Sequence, residues 1–120
     1  NWHTNGFNWY YWTNRKMYFV MERPGATDSA NSIADVVTTN TWQVLGLTRS
    51  GNDVRFYLNG IDVTDWSGFA VDMVPNPGNL FIGTHSAASG FLPGYIDFVL
   101  FFRDIALSPT QMVGWAERTL

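Results

Sequence analysis

The 120-residue sequence contains no cysteine, which excludes both a disulfide framework and a thiolate metal site and leaves the redox compartment undetermined. Charge is sparse as well. Asp, Glu, Lys and Arg make up 14% of the chain, the formal net charge is −3, and the seven basic residues are scattered apart from the pair Arg15 and Lys16. The basic stripe that nucleic-acid binding requires is therefore missing. Long apolar runs are absent too. The longest, FVLFF at 98–102, falls far short of the ~20 residues of a membrane-spanning helix. Glutamate is almost lacking, with Glu22 and Glu117 the only two, and the two histidines, His3 and His85, stand far apart. Without helical i, i+4 spacing or a cysteine partner, those histidines do not make a zinc motif. Ser86 beside His85 is not in a G-x-S-x-G elbow, so no nucleophile signature remains.

What is present is aromatic and β-forming. Aromatics reach 17% and hydrophobic residues 46%, enough large side chains for a sheet-on-sheet core with some left over. The length suits one domain over residues 1–120. FNWYYW (7–12) and RKMYFVME (15–22) read as a hairpin about Thr13-Asn14, and PGATDSANS (24–32) reads as a loop. A short strand is expected at 33–37. TWQVLGLTR (41–49) turns at Ser50-Gly51-Asn52 into DVRFYL (53–58), which turns at Asn59-Gly60 into IDVT (61–64). Asn-Gly suits a type I′ turn, whose two central residues both need φ > 0. Along 54–58 the alternation separates Val54, Phe56 and Leu58 from Arg55 and Tyr57. The first set is assigned to the core and the second to solvent, so Tyr57→Ala is expected to leave the fold nearly unchanged.

A long connection follows at 67–79, then a strand LFIGT (80–84), a loop at 85–94, and the most apolar strand, YIDFVLFF (95–102). Both faces of that last strand are apolar, which marks it as buried on both sides, by its own chain or by a partner. Ser108-Pro109-Thr110-Gln111 opens a helix at roughly 109–118, with Ser108 as N-cap and Gln111 completing a capping box. The sum predicts an all-β protein: an antiparallel two-sheet jelly-roll sandwich with a short C-terminal helix.

Trp42, the turn at Gly51, VRFYLNG (54–60), FIG (81–83), GYID (94–97) and ALS (106–108) occur in the order shown by laminin G-like domains of the concanavalin A-like lectin/glucanase superfamily, which this chain resembles. Family domains are commonly longer, so the resemblance implies a C-terminal part of a longer chain, with opening strands missing or supplied from elsewhere. It also implies a non-catalytic carbohydrate-recognition role on an extracellular or particle surface. The Glu-x-Asp-x-x-Glu strand of the superfamily's glycosidases is absent; their chemistry needs two carboxylates about 5 Å apart, and the corresponding strand here reads Ile96-Asp97-Phe98-Val99. Asp97 is expected to be tucked against loop backbone.

Sugar recognition would rest on exposed aromatic faces with polar groups beside them. Arg55, Tyr57, Trp66, Phe69 and His85 are the ligand-binding candidates, and FNWYYW carries aromatics on both parities, one for core and one free for a glycan or a partner. The resemblance makes calcium the candidate cofactor, and a calcium ion needs several oxygen donors. Asp62, Asp65, Asp72 and Asn76 are the metal candidates. The alternative reading is a structural or assembly module, such as a virion decoration, fibre or appendage protein, with Phe98, Leu100 and Phe102 against neighbouring subunits. A glycan or glycoconjugate and adjacent protein subunits are thus the expected partners, with no nucleic acid and no membrane span.

Overall fold

The computed structural model describes residues 6–68, 78–84 and 90–119. The described residues form seven strands and one helix, in the order β1 (Gly6–Tyr11), β2 (Met17–Arg23), β3 (Ala26–Ser32), β4 (Leu45–Ser50), β5 (Asp53–Leu58), β6 (Ile61–Asp62), β7 (Thr64–Gly68) and α1 (Pro109–Thr119). The strands form two antiparallel sheets, β1-β2-β3-β7 and β4-β5-β6. The all-β sandwich with a short C-terminal helix is thus the fold of this chain.

Alternation along β2 and β5 explains why the sheets face each other. Met17, Phe19 and Met21 from β2 meet Val54 and Phe56 from β5, all at 3% exposure or less, with Ala30 and Val36 completing the cluster. Full burial of side chains this size contributes about 1.5–3 kcal/mol each. Leu45, Leu47, Leu58 and Val63 seal its margin.

The segment read as a loop at 24–32 is instead a turn at Pro24-Gly25 followed by β3. Its small polar residues form a strand because β2 supplies a complete ladder from Tyr18↔Asn31 to Arg23↔Ala26. Ala30 fits under the core, and the fully buried Ser32 hydroxyl accepts from the Met17 amide at 2.9 Å while donating to the Ile33 carbonyl at 2.9 Å. A buried hydroxyl satisfied on both sides carries little penalty. Residues 33–37 form no strand; Asp35 sits at φ 59 and its amide donates to the Asn14 carbonyl. The first hairpin also closes later than Thr13-Asn14, at Tyr11↔Met17, because Asn14 Oδ1 accepts from the Lys16 amide and wraps the connection into a wider turn.

The two sheets share an edge at β5. Its Val54 and Phe56 amides donate to side-chain hydroxyls of β7, Ser67 at 3.0 Å and Thr64 at 2.9 Å. The Asn59-Gly60 turn has φ 50 and 85, the signs a type I′ turn requires. Asn59 ties it to the start of β4, its amide donating to the Val44 carbonyl and its Oδ1 accepting from the Val44 amide. Helix α1 carries the expected capping box: the Ser108 amide donates to Gln111 Oε1 at 2.8 Å, and the Gln111 amide to Ser108 Oγ at 3.3 Å. Its Met112 lies over Gly46 on the outer face of the second sheet and its Val113 against Gly60, while Met112 and Ala116 are the buried residues of the helix.

Two expected strands are not formed. Residues 80–84 and 95–102 join neither sheet, because apolar sequence makes a strand only where a neighbour supplies a ladder, and none of the described strands pairs with them. Tyr95 is 88% exposed, while Phe98, Leu100 and Phe102 are 43–49% exposed rather than buried. Asp97 is likewise exposed, not tucked away.

Gly60 is where backbone freedom and close packing coincide. At φ 85, a Cβ there would stand 2.6 Å from Val113 Cα on α1. Gly60→Ala is expected to lower stability by more than about 1 kcal/mol, read as a reduced midpoint with unchanged slope in a urea melt.

Candidate functional site

The outer faces of the two sheets have different fates. On the second sheet, Gly46↔Tyr57, Thr48↔Arg55 and Ser50↔Asp53 point outward in register. Tyr57 does lie on the Arg55 side, yet only 2% of it is exposed. The expectation of a solvent-facing Tyr57 is therefore corrected, and the reason is α1, whose Met112 packs onto this face at Gly46, the register partner of Tyr57. Beside the helix lies a groove of about 470 Å³ lined by residues including Asp53, Arg55, Tyr57, Asp62 and Leu107. Arg55 Nε donates to both Asp53 oxygens at 2.9 and 3.1 Å, and its Nη1 stands 3.6 Å from Asp62 Oδ2. The hydrogen bond and charge of Asp53 raise the guanidinium pKa further. With two carboxylates on one guanidinium, Arg55 has no positive charge to spare for an anion, and the groove offers no free aromatic face.

On the outer face of the first sheet burial is uneven: Glu22 is buried, Tyr10, Tyr18 and Asn31 are half-buried, and Thr27, Ser29 and Trp66 are exposed. Met17, Phe19 and Met21 face the core, and their register partners Tyr11, Trp9 and Phe7 lie on the same side of the sheet, because directly opposed residues share a face, but at 38–43% exposure they stand outside the buried cluster. The other parity therefore points out. The register runs Tyr10↔Tyr18, Tyr18↔Asn31 and Asn31↔Trp66, so one cross-strand row carries a residue from each of the four strands. Tyr10 and Tyr18 stack at 5.5 Å between centroids and 17° between planes, and Trp12 meets Tyr10 edge-on at 6.3 Å. Asn14 Nδ2 donates to the Tyr18 hydroxyl at 2.7 Å. Partial burial, with Tyr18 and Glu22 nearby, raises the Tyr10 pKa, so its hydroxyl stays protonated at neutral pH.

A bulge builds the far end of the row. Trp66 pairs with Asn31 and Thr64 with Ser32, which leaves Asp65 as the extra residue. Bulges re-aim side chains, and Asp65 reaches the outer face beside Trp66. Its Oδ2 accepts from Lys16 Nζ at 3.0 Å and from Asn31 Nδ2 at 3.2 Å. The Trp66 indole lies over Gly68, where a side chain would collide with it, and remains 60% exposed. The result is a flat indole face bordered by an amide, a carboxylate and an ammonium. Polar groups beside an aromatic plane can orient a pyranose ring stacked on it.

Of the ligand-binding candidates, Arg55 and Tyr57 meet at the groove, Trp66 stands on the opposite side of the sandwich, and Phe69 and His85 lie outside the described residues. Of the metal candidates, Asp62 and Asp65 do not converge. Asp62 accepts from the Thr64 amide at 2.9 Å and faces Arg55, whereas Asp65 faces Lys16 and Asn31. Among the described residues no three His, Cys, Asp or Glu side chains gather into a cation site, and Asp72 and Asn76 lie outside them, as do His3 and Ser86. No helix among the described residues is long and apolar enough to cross a membrane. Tyr10, Tyr18, Asn31 and Lys16 were absent from the sequence-derived candidates. FNWYYW offered aromatics on both parities without distinguishing Tyr10, while Asn31 was hidden in a segment read as loop.

This arrangement stands on a shared scaffold. The profile of a laminin G-like family, described as the Concanavalin A-like lectin/glucanases superfamily, matches residues 1–112, and the chain belongs to that family. A crystal structure of an S-layer domain-containing protein from Clostridium thermocellum is similar in fold, with a TM-score of 0.54 and 22% identity over 94% of this chain. The present chain spans 64% of that one. Among curated proteins there is no match.

Two outcomes follow from this geometry. Tyr57→Ala is expected to cost about 3–5 kcal/mol in a denaturant melt, the range for truncating a buried aromatic, in contrast to the near-neutral effect expected from an outward side chain. The hydrogen bond and charge of Lys16 hold the Asp65 carboxyl below its ordinary value of 3.8. The pairing is therefore complete above the ordinary carboxylate range and is lost as pH falls through the depressed pKa. Carboxyl carbon NMR should show Asp65 titrating below 3.8, and Lys16→Met should move that titration up.

Proposed function

We propose that the protein is a non-catalytic carbohydrate-recognition module displayed on an extracellular or particle surface, and that it binds through the outer face of the first sheet. The observation that carries this reading is the exposed Trp66 indole set beside Asn31, Asp65 and Lys16 at the end of the Tyr10, Tyr18 row. Stacking supplies affinity on such a face and the flanking polar groups supply orientation. Membership of the concanavalin A-like lectin/glucanase superfamily supports the class. A non-enzymatic role accords with the placement of Glu22 on β2, where it accepts from Thr27, and Glu117 on α1. Calcium is not required by this reading, since Lys16 already compensates the Asp65 charge.

A second reading, a structural or assembly module, is favoured by a separate observation. From Phe91 to Ile105 the chain presents apolar side chains to solvent, among them Phe91 at 66%, Tyr95 at 88% and Phe101 at 66%, and Leu80 and Ile82 add to them. Extended exposed patches of this kind mark protein contacts. The similar fold of an S-layer domain-containing protein is in keeping with a surface role for such a module. The two readings are compatible because the patch and the aromatic row use different residues.

Glycan-array binding followed by titration calorimetry tests the first reading. Trp66→Ala is expected to weaken binding at least tenfold, roughly 1.4 kcal/mol, while the exposed position keeps the melting midpoint nearly unchanged. Binding is expected to persist in chelator. Unaltered glycan affinity in Trp66→Ala would reject the site. For the second reading, light scattering should show self-association or partner-dependent assembly that Phe98→Ser with Leu100→Ser abolishes.

A further inference from the structure

The aromatic row has a direction and a length, and these bear on the kind of glycan it takes. It rests on the carbohydrate reading above. Tyr10, Tyr18, Asn31 and Trp66 are register partners on four successive strands, so the row runs perpendicular to the strands. Neighbouring strands are about 4.8 Å apart, and three spacings put roughly 14 Å between the strands of Tyr10 and Trp66. One pyranose ring does not cover that span; about three linked rings do.

The two ends are alike. Trp12, two residues beyond Tyr10 on the same parity, is 56% exposed, and Trp66 at the other end is 60% exposed. Both indoles are thus more than half exposed, and neither is enclosed in a pocket. Between them Tyr10 and Tyr18, stacked on each other, bring their hydroxyls to the path, and Asn31, whose Nδ2 donates to the Ser32 carbonyl and to Asp65, leaves its Oδ1 as an acceptor. The charges on the path, Asp65 and Lys16, are paired with each other, so the row offers neither sign in excess.

We propose that the ligand is a neutral linear glycan chain bound along its length, lying across the strands of the first sheet from Trp12 to Trp66 and contacting about three consecutive rings. A chain held this way is recognised at internal positions and needs no free end. It also fits a module that holds a surface against a polysaccharide, where chain interiors far outnumber termini.

The test is calorimetric titration of the full chain with cello-, manno- and chito-oligosaccharides of one to six rings, and with acidic oligogalacturonates as a contrast. Affinity in the neutral series that binds is expected to rise at least about tenfold between one ring and three or four, and then to level off. Trp12→Ala, at the end remote from Trp66, is expected to weaken the longer oligosaccharides several-fold. Equal affinity for one ring and four would overturn the chain inference and leave the carbohydrate reading standing, as would preference for the acidic series. Absence of binding to every glycan, on the array as well, would remove both. The length series on the unaltered protein decides the matter even if Trp12→Ala does not fold.

Discussion

Two hydroxyl groups on one strand hold the sandwich together at its shared edge. Strand β6 is only two residues long and leaves part of the β5 ladder open. The Val54 and Phe56 amides on that edge would be unsatisfied beside a dry core, at a cost of about 1–3 kcal/mol each. Thr64 and Ser67 accept from them instead, and the Val63 amide donates back to the Phe56 carbonyl. This seam lets the chain leave the second sheet at Val63 and become the last strand of the first. The core closes over Phe56 and Val54 because of it.

The same seam sets the geometry of the outer face. Thr64 and Ser67 both point toward β5, although they are three residues apart and simple alternation would put them on opposite faces. The bulge at Asp65 resolves that conflict. It follows that Asp65 and Trp66 both emerge on the far side, next to Asn31 and within reach of Lys16. The requirement to satisfy two buried amides and the presentation of a carboxylate next to an indole are thus one structural event.

Helix α1 makes the two sides of the sandwich unequal. It seats Met112 on Gly46 and lets Val113 approach Gly60, so Tyr57 becomes a packing residue and the second sheet keeps only a groove dominated by the Arg55, Asp53 and Asp62 pairs. The first sheet leaves Trp66 exposed and Tyr10 and Tyr18 half-buried on its outer side. Beyond the sheets, residues 91–105 expose an apolar length of chain that takes part in neither, which gives the molecule a second surface of different chemistry.

The hairpins, the Asn59-Gly60 turn and the capped helix were legible in the sequence because each depends on a few adjacent residues: φ signs at two positions, a hydroxyl three residues from an amide, alternation over five. The inward set Val54, Phe56 and Leu58 followed from the same local rule. Strand β3 was not legible, since Ala-Thr-Asp-Ser-Ala-Asn-Ser has little intrinsic preference for a strand and becomes one through the ladder that β2 offers. The reverse holds for YIDFVLFF, whose preference for a strand is strong but which none of the described strands pairs with. Burial of Tyr57 depended on a helix more than 50 residues later in the chain, and the grouping of Trp66 with Tyr10, Tyr18 and Asn31 on the register of three strand pairs. By itself the sequence determined what short-range backbone geometry and alternation control: the fold class, the turns and the core side of β5. Only the tertiary structure decided which outward aromatic stays in solvent, because that depends on long-range partners competing to cover each face.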